Sequence, residues 1–302
     1  MGWLQLLYNN AHSQIKCNGF LTKPIQLQRS IRQGCPLSAL LYSLAAEPLA
    51  QLIITDRHIT GITTPAQRHI KIVQFADDTN LFLKNSEQVD SVITHLDTFC
   101  RASGARVNTE KSQIMFCGSV ARPPNIWGFE EAQESIKVLG VYIGSDAAAA
   151  RDKSWEGLLA KLPGQFGLWK MRGLTLRGKV VVTNSLILSK LTHTLAVHDL
   201  PNAILAKINN LITTFLWKGK SNLVAHKTII DDYKKGGLNL IDIHTKKLAL
   251  RNKIIIKHLD KNNRALWKDF FTQQLKEISI SQGNQREAQS IIPHNERIQT
   301  ER

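Results

Sequence analysis

The chain has 302 residues, of which 43% are hydrophobic, so it can bury a core, fill two domains and is not a disordered chain. Its formal charge of +15 is unevenly placed: +1 over residues 1–100, +5 over 101–200 and +9 over 201–302. A basic excess that rises toward the C-terminus suits a polyanion-binding surface in the second half, or a solubilising charge without a partner.

Cys17, Cys35, Cys100 and Cys117 have no CxxC spacing and no histidine at zinc-finger distance. They read as reduced thiols of an intracellular protein, with nucleus and cytoplasm left open, and not as a disulfide frame or metal centre. The opening "MGWLQLLYNNAHSQIKCNGF" has no basic segment followed by an apolar core, so no secretory signal is expected there. No apolar run is expected to span a membrane.

Taken in order, "SALLYSLAAEPLAQLII" (38–54) predicts a helix with Ser38 as N-cap and a break or kink at Pro48, unless Pro48 begins a second helix. Two strand-like runs follow, Ile70 to Phe75 and Thr79 to Leu83, with Ala76, Asp77 and Asp78 as a hairpin apex. Val89, Val92, Ile93, Leu96 and Phe99 then recur at helical spacing, between Ser86 as N-cap and Gly104 as the C′ residue. "SQIMFCG" and "IKVLGVYIG" predict further strands.

At "SDAAAARDKSWEGL" the composition turns helical and charged, which places a boundary at 148. Beyond it, Ile204, Leu205, Ile208, Leu211, Ile212, Phe215 and Leu216 share one helical face that Gly219 closes, and "IDIHTKKLALRNKIIIKHLD" predicts a basic helix. Trp155, Trp169, Trp217 and Trp267 lie in apolar helical surroundings, which favours packing over stacking on bases. His193 and His198 read as packing or surface residues. The reading is an α+β chain: 1–148 carries short strands and helices, 149–280 is helical and basic, and 281–302 is a polar tail.

Two stretches carry chemistry. In "HIKIVQFADDTNLFLK" (69–84) a tight hairpin would fix the Asp77 and Asp78 carboxylates at one point, as a hard cation such as Mg²⁺ requires. An Asp-Asp pair alone is more often an ordinary turn. Two Mg²⁺ ions about 4 Å apart are the usual device for in-line attack on a nucleotide phosphate, and they need carboxylates from more than one element. In "SIRQGCPLS" (30–38) a turn feeds a helix N-terminus, which offers free N–H groups to an anion. Arg32 would reach a phosphate, Gln33 a sugar or base edge, and Gly34 would let the backbone approach a ligand.

"RQGCPLS" followed by "FADD" resembles the reverse transcriptase of LINE-type (non-LTR) retrotransposons. "SGARVNTEKSQIMF", "IKVLGVYIG" and the later "FLWKGK" and "KKGGLNLIDI" resemble further blocks of that family in the same order. The resemblance runs from about residue 3 to residue 260. It implies a partial polymerase palm followed by a helical, thumb-like domain. It implies Asp77 and Asp78 as ligands of Mg²⁺ (or Mn²⁺) and Lys111 as the residue that protonates the leaving pyrophosphate. Arg32, Gln33, Gly34, Phe75 and Ala76 would meet the incoming nucleotide and primer end, and Leu139, Gly140, Val141 and Tyr142 would form the primer grip. The implied partners are an RNA template and DNA primer, or an RNA–DNA duplex, and dNTPs, with no membrane; oligomeric state is not implied. Ala39 stands where the family usually has proline.

The family carries another metal-binding aspartate upstream of "RQGCPLS", yet the first acidic residue here is Glu47. Two carboxylates alone should hold the metal weakly, so the isolated chain is expected not to polymerise DNA. The readings that remain are a reverse-transcriptase piece that needs an upstream segment, a catalytically dead module whose basic half binds nucleic acid, and a retroelement fossil without a task.

Overall fold

The computed structural model describes residues 2–27, 34–120, 122–123, 126–219 and 223–281. Arg32, Gln33 and nearly all of the polar tail lie outside them. Helix predominates (53%), with 12% strand, in keeping with an α+β chain. Two compact units form: the first takes residues 1–62 and 69–107, the second 63–68 and 108–302.

The first unit opens with helix α1 (Gly2–Tyr8) and four two-residue strands, β1 (His12–Ser13), β2 (Lys16–Cys17), β3 (Phe20–Leu21) and β4 (Ile25–Gln26). β1 pairs with β4 and β2 with β3, both antiparallel. Helix α2 spans Pro36–Thr55. It starts two residues before the predicted Ser38 cap. Cys35 is extended and Pro36 stands at the first helical position, where a fixed φ and a missing N–H cost nothing. Ser38 instead lies buried and shares a hydrogen bond with the Tyr8 hydroxyl (3.1 Å).

Pro48 does not break α2, contrary to expectation. Proline deprives the carbonyl four residues back of its N–H partner. That carbonyl belongs to Leu44, a residue 71% exposed, so water can satisfy it.

After β5 (Ile62–Thr63) and β6 (His69–Ile70) come β7 (Ile72–Phe75) and β8 (Asp78–Leu81), and then helix α3 (Gln88–Ser103). Gly104 ends α3 in the left-handed region (φ 72°), donating its N–H to the Cys100 carbonyl, as predicted. The N-cap is Glu87, one residue beyond Ser86. Leu49 and Ile53 of α2, Ile59 and Val92 of α3 form a small core, and Ile72, Leu81, Leu83, Leu96 and Phe99 pack on it.

In the second unit the predicted "SQIMFCG" strand shortens to β9 (Gln113–Ile114), which pairs in parallel with β10 (Glu130–Glu131). β11 (Ser135–Val138) and β12 (Val141–Gly144) form an antiparallel hairpin. Continuous helix begins at α4 (Ala147–Leu159), where the Asp146 carboxylate accepts the N–H groups of Ala148 (2.8 Å) and Ala149 (3.0 Å). α5 (Leu162–Lys170), α6 (Leu176–Val182), a π-helical turn (Thr183–Leu188) and α7 (Ser189–Val197) follow. Then come α8 (Asn202–Trp217), α9 (His226–Ile230), α10 (Ile243–Leu259) and α11 (Trp267–Ser281).

The predicted apolar face of α8 is the spine of this unit: Ile208, Ile212, Phe215 and Leu216 are buried in a core with Trp155, Leu191 and Leu195. Trp155 is wholly buried, Trp169 and Trp217 pack against the same core, and Trp267 makes an edge contact with Phe271 (ring centroids 6.0 Å). All four tryptophans make packing or ring contacts, and Trp267 remains 36% exposed.

The expectation that no segment could span a membrane needs correction. α2 and the continuous run Leu176–Val197 are both long and apolar enough by length and composition. In the second, the apolar residues have a place in the protein: Val180, Ile187, Leu188, Leu191 and Leu195 lie in the core.

Candidate functional site

β7 and β8 pair with Ile72 opposite Leu81, Val73 opposite Asn80, Gln74 opposite Thr79 and Phe75 opposite Asp78. That register leaves Ala76 and Asp77 as a two-residue turn. Ala76 has φ 52°, the positive value that two-residue hairpins demand at their centre and that a residue with a Cβ adopts at a cost of about 1–2 kcal/mol. Side chains alternate across a hairpin. Ile72 and Leu81 therefore point to the core, while Val73 and Phe75 stand on the other face, Phe75 at 65% exposure.

Asp77 forms the turn and Asp78 begins β8, and both side chains are exposed. The tip thus presents two adjacent carboxylates to solvent at a fixed point. Tyr42 of α2 feels the charge of the tip. Burial, and after it the charge of Asp77, pushes its phenol above the ordinary tyrosine range. Strand β7 itself contacts α2, the helix that begins within "RQGCPLS".

The base of the hairpin is fixed as firmly. Lys71 donates to the carbonyls of Ile54 and Asp56 (2.7 Å each), placing a cation at the C-terminus of α2. Asp56, the C-cap of α2, meets His95 Nε2 of α3 at 2.7 Å and accepts the His58 N–H at 2.7 Å. These contacts hold the Asp56 carboxyl below the ordinary carboxylate range, the His95 hydrogen bond first among them. Gln88 ties α3 to the preceding loop by donating to Thr60 Oγ1 at 2.8 Å.

Among the described residues no three His, Cys, Asp or Glu side chains converge on a metal site. The tip supplies two hard oxygen donors of the kind Mg²⁺ accepts while it keeps several waters. The donor set fits such an ion as part of a site. Gly34, just before α2, has φ 84°, and among the described residues nothing lies within 4 Å of where a Cβ would stand.

The other expected site residues fall in the second unit. Lys111 is exposed in a turn in which its N–H meets the Asn108 side chain (3.2 Å). Leu139 and Gly140 are the two turn residues between β11 and β12, with φ 49° and 93°. Positive φ at both is the type I′ pattern of a tight hairpin. Val141 is buried against α4 and Tyr142 is half-buried.

Sequence reasoning missed what fixes Tyr142. Its N–H donates to Ser154 Oγ (2.8 Å), and its carbonyl accepts from His198 Nε2 (3.0 Å). His198 is thus a backbone anchor, and only its distance in sequence from Tyr142 hid that. None of the four cysteines forms a disulfide.

Residues 1–143 match the family model of reverse transcriptase (RNA-dependent DNA polymerase). The chain is also 29% identical over 274 residues, 88% of its length, to the uncharacterized 149 kDa protein of transposon TX1 from Xenopus laevis, of which it covers 21%. A putative ribonuclease H protein of Arabidopsis thaliana is 27% identical over 115 residues, 36% of this chain and 18% of that protein. The chain therefore spans about a fifth of the length of these curated relatives. The match to the reverse transcriptase model spans the part of the chain that bears the exposed Asp77–Asp78 tip. Reverse transcriptases in general use Mg²⁺, a nucleic-acid template and primer, and dNTPs.

Proposed function

We propose that these 302 residues supply part of an RNA-directed DNA polymerase: a palm portion over 1–148 and a basic, thumb-like helical portion over 149–280. The observation that carries this reading is the exposed Asp77–Asp78 pair at a strained two-residue apex of a hairpin that contacts α2. Asp77 and Asp78 hold Mg²⁺ or Mn²⁺, which when bound offsets the negative charge of the nucleotide phosphates. Arg32, Gln33 and Gly34 meet the incoming dNTP, Phe75 and Ala76 border the primer end, and Lys111 donates the proton to the departing pyrophosphate. Leu139, Gly140, Val141 and Tyr142 grip the primer strand of an RNA–DNA duplex, inside the cell.

Two carboxylates are a sparse set for two cations that repel each other, and no acidic residue precedes Glu47 in this sequence. The metal is therefore held weakly, and the 302-residue polypeptide by itself does not extend a primer. The test is extension of an oligo-dT primer on poly(rA) with Mg²⁺. The expected result is no product from this polypeptide, and Mg²⁺-dependent product when an aspartate-bearing upstream segment of a related polymerase is fused to it. Extension by the unfused polypeptide that Asp77→Asn abolishes would contradict the weak-site reading.

A second reading is favoured by the net +9 of residues 201–302 and by α10, a helix with Lys246, Lys247, Arg251, Lys253 and Lys257. In it the chain binds nucleic-acid backbone without catalysis. Its affinity for duplex must then fall steeply with salt; a flat dependence removes it.

A further inference from the structure

The hairpin of β11 and β12 carries a second feature, away from its turn. In a two-residue hairpin the residues flanking the turn exchange backbone hydrogen bonds, and the next pair does not. Val138 and Val141 flank the turn, so Lys137 and Tyr142 are the next pair, with close side chains on one face and backbone groups turned outward. An outward N–H and C=O are an open strand edge. Here side chains close that edge. Ser154 Oγ accepts the Tyr142 N–H (2.8 Å) and donates to the Ala150 carbonyl (2.8 Å), while His198 Nε2–H donates to the Tyr142 carbonyl (3.0 Å). The carbonyl can only accept, so this hydrogen bond requires the proton on His198 Nε2, which also lies 3.2 Å from Ser154 Oγ. Ser154 is buried, which makes this a rigid mount for Tyr142.

On that mount two cations share one ring. The Lys153 ammonium lies 4.7 Å and the Lys137 ammonium 5.8 Å from the centre of the Tyr142 ring. Lys153 also reaches Ser135 Oγ, at 3.3 Å. Among the described residues no carboxylate forms an ion pair with either lysine. Two like charges gathered over one aromatic ring repel each other, and an anion between them turns the repulsion into attraction. Both lysines are exposed, so the position is open to a large ligand.

We propose that Lys137, Lys153 and Tyr142 form a binding site for one phosphodiester of a nucleic-acid strand, with Ser154 and His198 as positioning residues that hold the tyrosine. This rests on the reading of the chain as a nucleic-acid-binding polymerase piece and deepens it. It adds two lysines outside the Leu139–Tyr142 segment that share one phosphate, and names their support.

The experiment is equilibrium binding of a fluorescent RNA–DNA duplex to the full chain across a salt series. Wild type is compared with Lys137→Ala/Lys153→Ala, the charge-keeping Lys137→Arg/Lys153→Arg, and Ser154→Ala/His198→Ala, with circular dichroism as a fold control. Each lost phosphate contact reduces the slope of log affinity against log salt by about 0.9. Both lysines serve one phosphate, so the alanine pair should flatten the slope by about 0.9 and lose about tenfold in affinity at moderate salt. The arginine pair should restore both. The mount variant should lose affinity while keeping the slope, because its charge is unchanged. A duplex with one neutral methylphosphonate linkage should bind wild type and the alanine pair alike at the linkage these lysines contact.

An unchanged slope in the alanine pair, with wild type binding duplex, overturns this proposal and leaves the polymerase reading standing. No salt-dependent binding by wild type overturns both. If inorganic phosphate or dNTP displaces duplex from wild type but not from the alanine pair at equal occupancy, the site takes a free phosphate, and the strand assignment falls.

Discussion

The two compact units differ in where their free energy and their charge reside. Among the described residues the second gathers 17 buried hydrophobic side chains into one core, while the core of α2, α3 and the acidic hairpin holds four. Burial at about 25 cal/mol per Å² of apolar surface is the main driving force for folding, so the second unit is the sturdier. The first unit relies more on directed polar ties: Lys71 on the end of α2, His95 on Asp56, Gln88 on Thr60. The candidate metal ligands therefore sit on the thinly packed half, and the basic charge accumulates on the well-packed half.

The largest effect that should sharpen this contrast comes from Trp155, wholly buried and donating its indole N–H to the Asp199 carbonyl at 2.8 Å. Trp155→Ala should cost the second unit about 3–5 kcal/mol. Amide exchange should then quicken across α8, while the hairpin at Asp77 keeps its protection. Equal quickening in both units would break the contrast.

A single glycine tests the first unit next. Gly61 has φ 66°, and a Cβ there would meet the backbone oxygen of Ile70. Gly61→Ala adds left-handed strain to a clash with backbone that cannot turn aside. It should cost about 2–4 kcal/mol. A chemical-denaturation midpoint that stays put would show that the first unit yields at this point.

The smallest effect is pH-dependent. The Asp56 carboxyl titrates below its ordinary range, so its contribution is fully present above the unfolded pKa and lost as pH falls through the folded pKa. Asp56→Asn should cost about 1–3 kcal/mol at neutral pH, and that difference should fade on acidification. Denaturation of wild type and variant at neutral and acid pH checks it. A difference constant with pH would assign the effect to something other than the carboxylate charge.

Much of this was legible in the chain. Apolar β-formers on both sides of Ala-Asp-Asp gave the hairpin, although Asp78 pairs with Phe75 inside the strand and not in the turn, and Gly104 and the α8 stripe were read from local rules that tertiary context did not override. The failures were also local rules, applied where context won. Pro36 outcompeted Ser38 as the helix start because proline suits the first position. Pro48 continued α2 because the bond it removes faces water. The π-helical turn at Thr183–Leu188 leaves no periodicity to read. The Ser154 and His198 hold on Tyr142 joins residues 12 and 56 apart, which no window along the chain can see.

The most direct test of the acidic tip is paramagnetic relaxation by Mn²⁺ at sub-stoichiometric amounts, read from the backbone amides of the isotope-labelled chain. Selective broadening of residues 75 to 78, weak in affinity and abolished by Asp77→Asn/Asp78→Asn, is the predicted result. Broadening that survives the double substitution, or that centres elsewhere, would contradict it.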